Sequence, residues 1–501
     1  MYQVMVVDDE PTAVNLIVNI IEKEYGDFQV LGTAYDGEEA LALMAEKGEP
    51  DVLITDISMP VMDGLKLVEK TKERYPEVMS VIVSGYQEFE YAKKAIAFGV
   101  CDYILKPIVP SEFAKLMGTL EDQLKQKYYR ERNRLMHQMV NELAVDEKKL
   151  HRYFQSKAWY GAITRRNGLP GRFSDRNQRE IFSDINELIF AYGRDSQETL
   201  YLCPGELIDG GSYEETIRRH IGKEQPEAAY VTTVIRKRPV SAEKIGELVR
   251  GLYRTLDSSI VVGKSRTLVI EDDGAEAESL VSDGGYEYME ELEYLAKKQH
   301  FDRFRKKTVE LLHQWEREER PQIWLEARLR QIFYLLQRYD AEGGDYRERE
   351  FLMDEAFANA ENAEQLEAGL TDIFFKDHRE EALAMQKLGT EEYFDSVKEY
   401  IRAHMAEPLS LNSVSREVGV SQTYLSRLFR RFENESFGGW LTALRMEKAK
   451  KLLSRTDGEK PFVKDVAEQV GYRDQFYFSR IFYSYTGVRP SEYTEERTVS
   501  S

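Results

Sequence analysis

The chain has 501 residues, 42% hydrophobic and 32% charged, which is enough for about three ordinary domains and too apolar for disorder on a large scale. A net charge of −20 argues against a protein that meets a polyanion with its whole surface, and two cysteines without metal-ligand spacing, Cys101 and Cys203, argue against a disulfide framework or a zinc site. No run approaches the ~20 apolar residues of a membrane helix and no signal-peptide pattern is visible, so a cytoplasmic protein with no membrane insertion is expected.

From the start of the chain, apolar runs alternate with amphipathic stretches. Strands are predicted at 3–7, 28–34, 52–56, 80–84 and 103–105, with helices between them, including 11–24 and 37–46. Continuous Val/Leu/Ile runs are the mark of buried parallel strands, so residues 1–123 read as a doubly wound α/β domain with a five-stranded parallel sheet. Such sheets place their chemistry at the carboxyl ends of the strands. There the sequence puts Asp8 and Asp9, then Asp56, then Ser84, then Lys106 with Pro107. Each alone could be a turn residue. Together they suit a site that holds Mg²⁺ and a phosphoryl group: the metal offsets carboxylate repulsion, Asp56 attacks phosphorus, and Lys106 balances the new charge.

These residues closely resemble the receiver domain of two-component response regulators over about residues 1–123. The matching motifs are Val6-Val7-Asp8-Asp9-Glu10, Asp56 with Met59-Pro60 and Asp63-Gly64, Ser84-Gly85, and Asp102-Tyr103 before Lys106-Pro107. The resemblance implies that Asp56 is the phosphoacceptor, that Asp9 and the Ser58 carbonyl ligate Mg²⁺ with Asp8 acting through water, and that Ser84 and Tyr103 are switch residues. It also implies a cis Lys106-Pro107 peptide. On phosphorylation the face formed by residues 89–97 and the last receiver helix is expected to repack and support a homodimer.

The last receiver helix, capped at Ser111, continues its pattern through Leu116, Leu120 and Leu124 beyond Tyr128, and residues 124–155 read as a helical linker; the Lys, Arg and Gln of residues 123–134 read as solvated, with a two-helix coiled coil between subunits as the alternative. Residues 156–280 read as an α/β module, with helical patterns first, then apolar runs at 199–203, 229–235 and 267–270 and a helix at 241–256. Residues 281–389 read as helical, with Leu292, Leu295, Leu311, Leu312, Trp315, Leu325, Leu329 and Phe333 forming a core stripe. Arg236, Lys237 and Arg238 read as a solvated strand end. The layout of residues 230–270 resembles the degenerate, diguanylate-cyclase-like insert of some large regulators of the YesN type. A cyclase's glycine and acid signature is missing, the nearest string being Gly284-Gly285-Tyr286-Glu287-Tyr288, so an enzyme is not expected.

Residues 390–501 contain an internal repeat. Val414-Ser-Arg-Glu-Val418-Gly419 pairs with Val466-Ala-Glu-Gln-Val470-Gly471, and Leu425-Ser-Arg-Leu-Phe429 pairs with Phe478-Ser-Arg-Ile-Phe482. Each copy reads as a helix, a turn at glycine, a cap (Ser421 or Asp474) and a second helix, giving an all-α domain with two helix-turn-helix motifs. Leu425, Leu428, Phe429 and Phe432 form one buried stripe, and Gln422, Thr423, Ser426 and Arg430 face outward with Arg427 nearby. In the second copy Gln475, Phe476 and Ser479 face outward, with Arg480 at the margin. Residues 396–501 hold 17 Lys and Arg against 14 Asp and Glu, a locally favourable balance for binding a polyanion.

The repeat resembles AraC/XylS-family DNA-binding domains over about residues 393–496, adding Trp440-Leu441, Arg445, Lys448-Ala449 and Leu452-Leu453 in the connecting helix, then Gly487, Pro490 and Tyr493. Asn434 replaces a usual glycine, which Asn tolerates. Tyr483-Ser484 replaces a usual basic pair. Together the resemblances imply a YesN-type response regulator: a sensor histidine kinase phosphorylates Asp56, and the chain then binds double-stranded DNA, with RNA polymerase a further candidate partner. The alternative is a receiver that gates ligand binding or enzymatic activity in the middle module.

Overall fold

In the N-terminal sheet the central strand Val52–Thr55 is wholly buried, as a continuous apolar run between two layers of helices requires. The computed structural model describes residues 1–85, 99–170, 189–192, 194, 197–208, 211–223, 229–271, 287–339, 346–375, 390–454, 461–472, 475–490 and 493. The chain divides into two compact units, the first comprising Met1–Met136 and His151–Phe154.

The first unit contains β1 (Tyr2–Val7), α1 (Pro11–Glu24), β2 (Phe28–Ala34), α2 (Gly37–Lys47), β3 (Val52–Thr55), α3 (Gly64–Arg74), β4 (Met79–Ser84) and β5 (Asp102–Leu105). The sheet order is β2-β1-β3-β4-β5 and every pairing is parallel. The expected strands are met to within a residue at each end. Asp36 caps α2 by accepting from the Glu38 and Glu39 amides, and Asp63 caps α3 through the Lys66 amide. The face at 89–97 lies outside the described residues.

Helix α4 (Pro110–Val140) continues the receiver's last helix, and α5 (Glu147–Tyr153) follows it. The expectation of a solvated linker helix fails on one side: Leu124, Lys127, Tyr128, Arg132 and Leu135 are buried. The reason is Asp51, a fully buried carboxylate that needs donors. It accepts from the Gln3 amide at 2.8 Å, the Tyr128 hydroxyl at 3.2 Å and Arg152 Nη2 at 2.7 Å. Arg152 also pairs with Glu49. Arg132 donates to the Tyr153 carbonyl, and the Tyr128 and Tyr153 rings meet edge-on at 4.7 Å.

The second unit is built on a sheet of β6 (Trp159–Arg166), β7 (Ile189–Tyr192), β8 (Glu198–Pro204), β9 (Val231–Arg236) and β10 (Arg266–Ile270), in the order β10-β9-β6-β8-β7, parallel only between β9 and β10. Among the described residues two α-helices accompany it, α6 (Tyr213–Lys223) and α7 (Ile245–Ser259). Strand β6 occupies the middle of the sheet, where helical patterns were expected. Its residues are buried on both faces, so they carry no alternation, and a Cβ on Gly161 would meet Leu248 at 2.8 Å. Arg165 at its end is buried on Glu198, and Arg194 forks onto Glu198 and Asp257 at 2.6 Å each. Of the expected solvated strand end, Lys237 and Arg238 are exposed beside Glu271, but Arg236 is buried.

Helices α8 (Glu287–Lys297), α9 (Phe301–Arg317), α10 (Gln322–Tyr339), α11 (Tyr346–Asn359) and α12 (Ala363–Phe375) follow. Leu292, Leu295, Leu311, Trp315, Leu325, Leu329 and Phe333 are buried, so the apolar stripe is core, with Leu312 half-buried at its edge. Last come α13 (Thr390–Ala403), α14 (Leu411–Val418), α15 (Gln422–Phe432), α16 (Phe437–Leu453), α17 (Val463–Gln469) and α18 (Gln475–Thr486). Helix α16 gives Phe437 and Leu441 to one core and Met446, Ala449 and Leu453 to another. One rigid helix thus joins the two modules.

Arg152→Ala is expected to lower the stability of the first unit by about 3–5 kcal/mol, because it strips a buried carboxylate of its cation. Arg152→Lys should recover less than half, since an ammonium cannot reach Asp51 and Glu49 as a fork. Urea unfolding with unchanged midpoints would remove the Asp51 cluster from the list of stabilising contacts.

Candidate functional site

Strands β1 and β3 are neighbours, so the residues that follow them emerge side by side. The Asp56 amide bonds to the Val7 carbonyl at 2.9 Å, extending the ladder and fixing the start of the acidic loop. Asp8 is buried, Asp9 exposed and Asp56 nearly buried, and each offers a carboxylate oxygen within 4.8 Å of the others. Lys106 Nζ lies 2.7 Å from Asp8 Oδ2 and 3.5 Å from Asp56 Oδ2. Burial pushes the Asp56 carboxyl above its ordinary value, and the Lys106 charge and the Ile57 amide pull against that. Burial opposes the Lys106 charge, but the bond to Asp8 and the charges of Asp56 and Glu10 outweigh it and raise its pKa. Three carboxylates against one ammonium leave excess negative charge, and an all-oxygen donor set is the kind a hard divalent cation takes.

The loop after Asp56 is tightly tied. Thr55 Oγ1 donates to the Asp56 carbonyl at 2.9 Å and the Gly64 amide to the Ile57 carbonyl at 2.9 Å. A Cβ on Gly64 would lie 1.8 Å from the Asp56 carbonyl oxygen, so glycine is required there by space. Ser58 sits exposed in this loop. Ser84 is buried at the end of β4, Tyr103 on β5 pairs with Ile82 and packs against Ile57 and Ile82, and the Lys106-Pro107 peptide is cis as the resemblance implies.

In the C-terminal modules Ser410 forms a capping box with Ser413 at the start of α14, and Ser421 caps α15 through the Tyr424 amide. Gly419 and Gly471 take left-handed backbone at the two turns, and so does Asn434, with φ of 55°. Leu425, Leu428 and Phe429 are buried, with Phe432 packed beside them. The outward face is not where the repeat alone would leave it. Thr423 is 6% exposed and Ser426 1%. Helix α15 packs on α11 and α12 as well as on α14, and this covers Thr423 and Ser426, while Arg430 stays exposed as expected. Arg427 Nε pairs with Glu348 at 2.6 Å, the Arg430 guanidinium lies 5.0 Å from the Phe351 ring centre, and Ser421 donates to Asp372 at 3.1 Å. Gln422 is half-buried. In the second module Gln475 and Ser479 are half-buried and α18 packs on α16 and α17; the Asp474 cap and the side chains of Phe476 and Arg480 lie outside the described residues.

The receiver and AraC-type resemblances seen in the sequence are borne out by comparison with known proteins. Residues 4–117 match the response regulator receiver domain, and residues 414–496 match a helix-turn-helix domain of the AraC type. Among individual relatives, an uncharacterized transcriptional regulatory protein, YesN, of Bacillus subtilis is 36% identical over 127 residues, which are 25% of this chain and 34% of that protein. The transcriptional regulatory protein HptR of Staphylococcus aureus is 36% identical over 122 residues, 24% of this chain and 46% of that one. The solved receiver domain of AraT, a response regulator from Geobacillus stearothermophilus, is 36% identical, with a TM-score of 0.24, and covers 25% of this chain and 97% of that one. The chain spans about a third to a half of the length of the curated relatives it matches. No helix among the described residues is long and apolar enough to cross a membrane.

Gly64→Ala is expected to displace the acidic loop and cost more than about 2 kcal/mol, because the atom that would clash is backbone. Gly85→Ala, where the added methyl meets nothing within 4 Å, is the control. Equal denaturation midpoints for the two variants would refute the close approach.

Proposed function

We propose that the chain is a phosphorylation-controlled, DNA-binding transcriptional regulator that receives its phosphoryl group from a sensor histidine kinase. The observation that carries this is the cluster of Asp8, Asp9 and Asp56 at the strand ends, with Lys106 on Asp8 and Asp56, in a chain that also has two helix-turn-helix modules. Asp8 and Asp9, with Asp56 and the Ser58 carbonyl, would hold Mg²⁺, whose chemistry when bound is to draw negative charge off the phosphoryl oxygens and the carboxylates. Asp56 supplies the oxygen that forms the new bond to phosphorus; the bond from phosphorus to the donor imidazole breaks, and the imidazole is left neutral after protonation at one nitrogen. Lys106 is already beside Asp56 and needs little motion to face the acyl phosphate. Ser84 and Tyr103 respond to the new dianion, and the change favours a homodimer.

The target is double-stranded DNA. Gln422, Thr423, Ser426, Arg427 and Arg430 of the first module and Gln475, Phe476, Ser479 and Arg480 of the second are the contacts to base edges and phosphates, and RNA polymerase is a further candidate partner. The helix α16 between the modules, 17 residues long, spans roughly 25 Å and holds both recognition helices on one body. The middle module is read as structural, not enzymatic: the charged groups at its β7–β8 turn are satisfied by one another, Arg194 by Glu198 and Asp257.

Asp56→Asn is expected to abolish Mg²⁺-dependent incorporation of phosphate from acetyl phosphate, measured by intact mass; retained stoichiometric incorporation would move the acceptor elsewhere. On DNA fragments selected from a genomic pool, one phosphorylated chain is expected to protect about two helical turns on one side of the duplex. A hydroxyl-radical footprint confined to one turn would limit the interface to a single module.

A further inference from the structure

The first recognition helix is covered over part of its outward face, at Thr423 and Ser426. Thr423 stands two residues before Leu425, about 200° around the helix, and so points away from the module's own core. An exposed residue is expected there, yet Thr423 is 6% exposed, because α11 and α12 lie over it. The cover is chemically matched. Glu348 on α11 takes Arg427 at 2.6 Å, Phe351 on the same helix lies under Arg430, and Asp372 on α12 accepts from Ser421 at the N-terminus of α15. An arginine on a recognition helix and the N-terminal end of that helix are both places where duplex phosphates bind. Here each of them meets a carboxylate.

The cover also leaves a polar group unserved. Ser426 Oγ is buried with no hydrogen-bond partner among the described residues, and a buried hydroxyl without a partner destabilises the contact that buries it. Bases or phosphates offer it acceptors; the described side chains of α11 and α12 do not. Glu348 is 34% exposed and Arg427 19%, so their pair is partly solvated and modest in strength. The contact is specific but weak enough to exchange.

Resting on the reading of α15 as a DNA-recognition helix, we propose that α11 and α12 hold the first module in a DNA-excluding state, with Glu348 and Asp372 occupying the places of backbone phosphates. Duplex and cover compete for one face, so the apparent affinity for DNA is the intrinsic affinity scaled by the fraction of chains in which the cover is off.

The test uses the full-length chain and two readouts. The first is the maleimide reaction rate of the thiol introduced by Ser426→Cys, located by peptide mass. The second is affinity for a mixed-sequence duplex of about three helical turns at low salt, where phosphate contacts dominate. Glu348→Gln with Asp372→Asn is expected to speed the labelling roughly three- to tenfold and to tighten duplex binding by a similar factor, while Glu417→Gln, an exposed acid on α14, changes either by less than about twofold. Fast labelling in the otherwise unmodified chain, unaltered by the double variant, would show that no cover exists and overturn the proposal while leaving DNA recognition standing. Faster labelling with unchanged, measurable duplex binding would overturn the competition alone. Faster labelling with no duplex binding by any form would overturn DNA recognition by α15, and the masking with it.

Discussion

The charge left over when one ammonium faces Asp8 and Asp56 governs the N-terminal unit. Lys106 reaches both carboxylates, and Asp9 adds a third within 4.8 Å. Such an arrangement is costly in a folded protein unless something pre-positions it, and here the sheet does: β1 and β3 are adjacent, the Asp56 amide is tied to the Val7 carbonyl, and Gly64 lets the loop close over the Asp56 carbonyl. Asp51, just before β3 on the same pass of chain, is the counterexample. Its oxygens are met by an amide, a phenol and a guanidinium, so it has no remaining appetite for a cation. Two buried aspartates thus bracket one strand, one saturated and structural, the other short of positive charge and poised for chemistry.

The second unit repeats that contrast. Arg165, Glu198, Arg194 and Asp257 close on one another in a mostly buried network, and nothing in it invites an outside partner. Around α15 the pairing is looser: a partly solvated salt bridge, an arginine over a ring, a serine on an aspartate, and a hydroxyl with no partner among the described residues. Incomplete satisfaction at a polar contact is what separates an exchangeable surface from a permanent one.

Most of the receiver was legible because its signals are local. Each strand is a short apolar run ending in a residue with a job, and buried parallel strands advertise themselves by lacking alternation. The same lack of alternation hid β6: with Gly161 in its middle and two arginines at its end, nothing in the string Trp159 to Arg166 separates a strand buried on both faces from a helical segment. The solvated reading of α4 missed Lys127 and Arg132 because burial of a cation depends on a distant acid or carbonyl, which a linear pattern does not display. Thr423 and Ser426 were recognised as a face through the repeat. That the face is covered could not be read, because the covering residues lie some fifty to eighty positions earlier and carry no motif.

Among the described residues the cover by α11 and α12 lies on the first module, and α16 makes that placement consequential. The second module, packed on α16 and α17, is attached to the first through a helix that shares both hydrophobic cores. If it lands on a duplex first, the other is brought within one groove of its own site, and its binding becomes an intramolecular event at a high effective concentration. A search along DNA can then run on a single loose grip, rapid to form and to release. Lifting α11 and α12 would matter little to how often the chain finds DNA and a great deal to how long it stays.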